Sequence, residues 1–515
     1  MAVESLPGAD TTPLPELIRV LALTQPQADA LICNDLRLSY GALDQLMDRV
    51  ACALQRDGLA PGEAIAICAA NSIEHAALFL GAMRAGVVTA LLPVTLTGAS
   101  LLRMLEDSGG RRLFVDAAGA EALAPAAGHI RVPIVAMDGE AAGEDFQAWL
   151  APAGARPATV TLAPEAACNI IYSSGTTGEP KGVVQPYGMR WIHVQQGRIL
   201  EAPAVMLIST PLFATGGSTS LLMTLGAAGA AVLVPRFEAR AFLQLAERLR
   251  ATHAMLTPVQ YRRVLAEPDF ERFDLSAFKM TYAIAAPSTP ELKAEILRRW
   301  PGGFTEIYGA TEGGACVLRA DLRPDKLHTV GRPGPATLLK IIDDAGRELS
   351  LGEAGEVVTH STALMSGYHR RPDKTAEAEW RDAAGRRFFR TGDIGKLDDE
   401  GFLTLLGRKK DLIISGGFNI HPVDLEQVLL GHEAVDDAAV VGAPSERWGE
   451  TPVAFVVLRP GPELEAKAML NWVNARLGKI QRLSEVRFVA ELPRNPLGKV
   501  LKRELRERLG KPRSR

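Results

Sequence analysis

The sequence predicts an α/β and α+β protein: a large N-terminal domain of layered α/β sheets with a β-rich subdomain, then a small, mobile α+β domain at the C-terminal end. Three observations predict it. Short Val/Ile/Ala-rich runs alternate with helix-length amphipathic segments through most of the first three hundred residues. From about Leu338 the texture changes to hairpins. After Arg408 about a hundred residues read as a separate α+β unit. The length of 515 residues agrees, because one hydrophobic core stops growing at roughly 250–300 residues and longer chains divide.

Taken in order, the runs AIAICAA, GVVTALLPV, RRLFVDA, VPIVAMD, VMLIST, AAVLVP and MTYAIAA each have strand length and β-branched or apolar content. Between Ala117 and Pro164 the composition shifts to Ala, Gly and Pro, which predicts surface connections rather than core. LLKIIDDAGREL and GKLDDEGFLTLLGR place Asp, Glu and Gly between apolar strands, as tight turns demand. The last unit reads as helix from Val423, strands AAVVGA and VAFVVL, helix from Leu464, strand VRFVA and a basic helix from Val500. The polar stretch Gly407–Asp411 is the predicted boundary: an N-terminal domain of residues 1–407, with the β-rich subdomain at about 338–407, and a lid of residues 408–515.

With 57 Lys and Arg against 60 Asp and Glu, the formal charge is −3. Such a balance gives no global field for nucleic acid or anionic membranes. Cys33, Cys52, Cys68, Cys168 and Cys316 are scattered without C-x-x-C spacing and read as reduced thiols of a cytoplasmic protein. The first twenty residues lack the pattern of a secretory signal. The apolar stretch Leu221–Pro235 is broken by glycine and shorter than the ~20 residues a bilayer needs, so no membrane span is expected. The terminal Pro-Arg-Ser-Arg is neither a peroxisomal address nor a lipidation signal.

The feature richest in chemistry is Tyr172-Ser-Ser-Gly-Thr-Thr-Gly-Glu-Pro-Lys-Gly182, directly after the apolar CNII. Backbone N–H groups of a glycine-rich loop, several hydroxyls and one lysine suit a polyphosphate. A Walker A loop counted from Gly175 would need Gly at 180 and Lys-Ser/Thr at 181 and 182, where the chain has Pro180, Lys181 and Gly182. On composition alone, a Ser/Gly/Thr surface loop explains the segment equally well, but other blocks follow. They are Tyr308-Gly-Ala-Thr-Glu-Gly-Gly314, Arg390-Thr-Gly-Asp393, Gly407-Arg408-Lys409-Lys410-Asp411, Ser415-Gly-Gly-Phe-Asn-Ile-His-Pro422 and Pro493-Arg-Asn-Pro-Leu-Gly-Lys499.

In this order and spacing the blocks resemble the signature motifs of the AMP-forming (adenylate-forming, ANL) superfamily of acyl-CoA synthetases, peptide-synthetase adenylation domains and luciferases. The resemblance covers nearly the whole chain. It implies that ATP, Mg2+ and coenzyme A are used, with a small-molecule carboxylic acid as the other substrate; a homodimer is compatible with it. Ser173, Ser174, Gly175, Thr176, Thr177, Gly178 and Lys181 would hold the β- and γ-phosphates. Thr311 would bind the α-phosphate and Glu312 the metal, since magnesium takes only one or two protein oxygens. Tyr308 and Gly309 would border adenine, with Ala285 and Ala286 lining the slot. Asp393, an acceptor only, would take both ribose hydroxyls beside Arg408. Lys499 would stabilise charge while the acid attacks phosphorus. The lid would then turn about Lys410, bringing Gly416 and Gly417 towards the thiol's path.

By the same resemblance the acyl pocket is framed by Thr210–Gly217, with Phe213, Ala214, Ile284 and Gly309 around it. Many fatty and aryl acid ligases carry His where this chain has Ala214, and amino-acid-activating domains carry Asp near that place. A free α-amino acid is therefore not expected. Ile284 stands where several aryl ligases have glycine and would shorten the pocket, favouring benzoate- or cinnamate-like or medium-chain acids over long fatty chains. CoA is the first-choice acceptor and a separate carrier protein the alternative. A non-catalytic nucleotide sensor is disfavoured by Lys499, Glu312 and Lys181 together, and an ADP-releasing kinase or ATPase by the missing Walker pattern. Gly216-Gly-Ser-Thr-Ser220 approaches a serine-hydrolase elbow but lacks its second glycine.

Overall fold

The computed structural model describes residues 13–173, 181–334, 337–461, 464–494 and 498–509. It divides into two compact units, one of Met1–Leu327, Gly334–Leu338 and His360–Phe389, the other of His328–Pro333, Leu339–Thr359 and Arg390–Arg515.

The first unit holds two mainly parallel sheets. One carries, in order, Gly313–Arg319, Gly303–Ala310, Met280–Ala283, His253–Leu256, Val205–Ile208, Ala230–Leu233, Asp29–Cys33 and Leu36–Ser39. The other carries Gly367–Tyr368, Lys181–Pro186, Ala167–Ser173, Val88–Leu91, Ala64–Cys68, Leu113–Val115, Ile134–Ala136 and Glu144–Asp145. All seven apolar runs named from the sequence form strands here. Their continuous rather than alternating hydrophobicity follows from burial on both faces.

Helix Ile73–Ala85 contacts both Val88–Leu91 and Asp29–Cys33, and every residue in it but Glu74 is buried. Such a helix has no polar face to show to water. Ser72 caps its start by accepting from the His75 N–H, and Gly86 ends it at φ +73°. A side chain on Gly81 would lie 2.5 Å from Val50, so glycine sets the close approach to helix Tyr40–Arg56. Arg84, at the end of this helix, is buried against Asp44 at 2.6 Å and Asp48 at 2.7 Å.

The Ala117–Pro164 segment departs from expectation. It is not only surface connection: Phe146 and Trp149 are buried, and Trp149 meets the Phe114 ring edge-on at 4.8 Å. Two aromatic rings outweigh a composition of small residues, since truncating one buried aromatic costs about 3–5 kcal/mol.

In the second unit, Asp393–Leu397 pairs antiparallel with Leu403–Arg408, and the turn at Asp343–Gly346 closes the other expected hairpin. The elements read from the sequence after Arg408 are present as Pro422–Leu430, Val435–Ser445, Gly449–Leu458, Ala466–Asn474, Glu485–Phe488 and Lys502–Leu509. Their own core includes Leu425, Leu429, Val440, Val456, Met469 and Val473.

Candidate active site

The glycine-hydroxyl segment joins two antiparallel strands in register Ser173↔Lys181. Ser174, Gly175, Thr176, Thr177 and Gly178 lie outside the described residues, as does the Ser173 side chain. Lys181, which follows them in sequence, is described. Lys181 Nζ stands 5.0 Å from the centre of the Tyr368 ring. The Tyr368 hydroxyl donates to Glu312 Oε1 at 2.8 Å. One phenol thus brings the predicted phosphate lysine and the predicted metal carboxylate together. Burial first, and then the Glu312 charge and bond, push the Tyr368 phenol upward, so it remains a donor.

Thr311 and Glu312 form the turn between strands Gly303–Ala310 and Gly313–Arg319. Gln185 Nε2 donates to the Thr311 carbonyl and the Met365 N–H to the Glu312 carbonyl, both at 2.8 Å. Gly313 has φ +120°, and a Cβ there would lie 2.1 Å from the Ala363 carbonyl oxygen, so glycine is obligatory. Tyr308 is half-buried and Gly309 exposed on the same strand.

Ala285 and Ala286 follow strand Met280–Ala283; Ala285 has φ +74°. Ile284 reaches the start of helix Thr215–Gly226, its Cδ1 lying 2.2 Å from where a Cβ on Gly216 would stand. Phe213 and Ala214 are buried just before that helix. Asn71 fixes this segment: its Oδ1 accepts from the Leu212 N–H at 2.7 Å and its Nδ2 reaches the Thr210 carbonyl at 3.1 Å. Ser218, the centre of the elbow-like sequence, is buried and donates to the Ala214 carbonyl.

The second unit gathers the other predicted residues. Asp393 and Arg408 are opposite each other in register, with Arg408 Nε 2.6 Å from Asp393 Oδ1. Lys499 joins this cluster. Its ammonium is pulled down to about 8 by burial, and further by the charges of Arg408 and Lys410, against the opposing pull of Asp393 and Asp411. The residue as a whole is exposed, so crowding of the ammonium end rather than full enclosure explains the direction. Arg494 bonds Asp437 and the carbonyl of Gly498, the residue before Lys499. Lys410 is exposed between two tethered neighbours: Lys409 pairs with Asp344 at 2.8 Å and Glu356 at 3.2 Å, and Asp411 with Arg506 at 2.8 Å. Gly416 and Gly417, at φ +58° and +84°, make the two-residue turn of a hairpin, Gly416 lying against Trp448.

Sequence reasoning missed Tyr368, Gln185 and Glu356. For Tyr368 a signal existed: Ser366-Gly-Tyr-His-Arg-Arg-Pro372 is one more ordered glycine-aromatic block. Gln185 and Glu356 are polar residues next to paired valines in their strands, the kind of position whose partner no local pattern names.

The family model described as AMP-binding enzyme matches residues 19–369, and that of the AMP-binding enzyme C-terminal domain matches residues 424–499. The chain is 34% identical over 507 residues to a fatty acid–[acyl-carrier-protein] ligase, ScoC, of Streptomyces coeruleorubidus, covering 94% of each. It is 34% identical over 496 residues to an indoleacetate–CoA ligase of Aromatoleum aromaticum, covering 94% of this chain and 95% of that one. Among solved structures, ATP-bound MatB from Rhodopseudomonas palustris superposes with TM-score 0.87 at 28% identity, over 96% of this chain and 99% of that one. The chain therefore belongs to the AMP-binding enzyme family as an ANL-superfamily acyl-CoA synthetase, an AMP-forming acid–thiol ligase.

Proposed function

We propose that this protein activates an aromatic or medium-chain carboxylic acid with ATP and passes the acyl group to coenzyme A. In the first step a carboxylate oxygen attacks the α-phosphorus and pyrophosphate leaves. In the second, the thiol sulfur attacks the acyl carbon, AMP leaves and the thiol proton goes to solvent. Because the acid is the nucleophile, the protein's work is positioning and charge neutralisation.

The observation that carries this reading is the Lys181–Tyr368–Glu312 arrangement, which joins through one tyrosine a carboxylate and the lysine that follows the glycine-hydroxyl segment in sequence. Magnesium fits here: with Oε1 taken by the Tyr368 hydroxyl, Glu312 Oε2 remains as the single protein oxygen such an ion commonly takes. When bound, the ion neutralises phosphate charge. Lys181 and residues 173–178 take the β- and γ-phosphates, and Thr311 the α-phosphate. Tyr308, Gly309, Ala285 and Ala286 line the adenine slot, Asp393 and Arg408 the ribose, and Lys499 the acyl carboxylate and α-phosphate.

Residues 408–515 form the lid and Lys410 its hinge, a role supported by the ion pairs that anchor the residues on either side. After rotation, Gly416 and Gly417 leave room for a pantetheine arm. Ile284, seated on Gly216, supports acids shorter than long fatty chains. A carrier protein is the second reading for the acceptor, favoured by the name of the ScoC relative. The test is pyrophosphate release with benzoate, cinnamate, hexanoate, octanoate and palmitate in turn, with and without CoA. Acid-dependent release, followed by AMP formation only with CoA, is expected; ADP as the product would end the proposal.

A further inference from the structure

Outside the proposed ligand contacts, buried polar side chains form a continuous chain in the first unit. Gln185 Nε2 donates to the Thr311 carbonyl at 2.8 Å, and Asn169 Nδ2 to Gln185 Oε1 at 3.0 Å. Arg190 Nε donates to Asn169 Oδ1 at 2.7 Å and Nη2 to Ser218 Oγ at 3.1 Å. Ser218 Oγ in turn donates to the Ala214 carbonyl at 3.0 Å. Asn169, Gln185 and Arg190 have no exposed surface.

The polarity of each link is fixed from its ends. The Thr311 carbonyl can only accept and the guanidinium can only donate, so each amide has one allowed orientation. Reversing either one would face two donors or two acceptors.

Arg190 is costly where it stands. Its partners among the described residues are Asn169, Ser218 and His193 Nδ1 at 3.3 Å, with no carboxylate. Burial pulls it down to about 10, which leaves it charged at neutral pH. His193, pushed down to about 3 by burial and then by the Arg190 charge, stays neutral with a lone pair for the guanidinium. A buried charge with only neutral partners is costly to desolvate, and what keeps it there is that Asn169 Oδ1 and His193 Nδ1 would be left without a donor in its absence. What the cation adds is direction, because a planar fork holds three partners at fixed angles.

We propose that Gln185, Asn169, Arg190 and Ser218 are positioning residues that tie the Thr311–Glu312 turn to the Ala214–Ser218 segment, so that filling the acyl site favours nucleotide binding at the turn, and the reverse. The inference rests on the site reading above. Coupling between two ligands is reciprocal and typically ranges from about 5- to 150-fold.

The test measures the Kd of the magnesium complex of α,β-methylene-ATP, without and with the panel acid that gives the fastest pyrophosphate release. For the wild type the ratio of the two constants is expected to be about fivefold or more. Arg190→Met, which removes the cation, and Asn169→Asp, which keeps a partner for Arg190 but loses the donor to Gln185, are each expected to bring the ratio to within about twofold of one. Asn169→Asp gives Arg190 a counter-charge that offsets part of the cost of the acceptor left facing Gln185 Oε1, so its Tm should fall less than that of Arg190→Met, and it carries the test should Arg190→Met fail to fold. A lower Tm with the ratio intact assigns a structural role and overturns the proposal, as does a wild-type ratio of one. No pyrophosphate release with any acid overturns the functional reading, and the relay's assignment with it.

Discussion

Tyr368→Phe removes one oxygen and leaves the ring, so the cation–π contact from Lys181 at 5.0 Å and the pairing of Tyr368 with Val183 both persist. What is lost is the 2.8 Å bond to Glu312 Oε1. A hydrogen bond to a charged group contributes about 1.5–3 kcal/mol. Glu312 is only half-buried, and solvent competes for it, which places the loss near the lower end. At about 1.4 kcal/mol per tenfold, that is on the order of a tenfold effect. If Glu312 holds the metal, the effect should fall on magnesium: the Mg2+ concentration for half-maximal pyrophosphate release should rise about tenfold, with little change in Tm. Release would be followed against Mg2+ at saturating ATP and acid, beside a thermal melt of each protein. An unchanged magnesium dependence in a well-folded variant would refute the role assigned to the Tyr368–Glu312 pair.

Further outcomes are expected at three residues. Because the Lys499 ammonium is pulled down to about 8, kcat/KM for adenylation should fall as pH rises through about 8, and Lys499→Ala should lose at least about two orders of magnitude, in line with removing one preorganised charge contact. The sign for stability is the opposite: the unfolded chain keeps that proton to a higher pH, so the Lys499 contribution to stability should rise from pH 8 upward, which denaturant melts of wild type and Lys499→Ala would detect. Lys410→Pro should leave pyrophosphate release largely intact and cripple thioester formation; equal loss of both rates would remove the hinge assignment. Ile284→Gly clears the space above Gly216 and should shift preference towards longer or bulkier acids, read as relative kcat/KM for palmitate and octanoate.

What was legible in the sequence was what local pattern determines. Strand runs, hairpin turns and the order of elements after Arg408 depend on composition within a few residues, and the structure contains them. Phe146 and Trp149 were obscured because two rings sit in a stretch whose average is Ala, Gly and Pro. Asp393 and Arg408 were named as neighbours by resemblance, and the register of their hairpin pairs them. Arg190 was invisible for a different reason. A charged residue in a helix ordinarily faces water, so nothing in Tyr187–Gln196 sets it apart until Asn169 and Ser218, distant in sequence, converge on it.

The loop proposed for adenine shows how strain and buried charge fit together. Ala285 holds φ +74°, a left-handed conformation that costs an L-residue roughly 1–2 kcal/mol. Such a residue persists only where its surroundings over-determine it. On one side the Ile284 N–H donates to the Leu256 carbonyl at 3.1 Å. On the other, the Ser288 N–H donates to Glu306 Oε1 at 2.6 Å, while Lys293 pairs with Glu306 Oε2 at 2.5 Å. Both members of that ion pair are almost completely buried, and such pairs add little net stability because desolvation offsets attraction. Their worth lies in geometry: the carboxylate that Lys293 keeps in place anchors Ser288 and so fixes the end of the loop. Pro287 further restricts Ala286. With both ends held, Ala285 and Pro287 remain exposed on a wall whose shape is set before any ligand arrives, and a preformed wall spares binding the cost of ordering it.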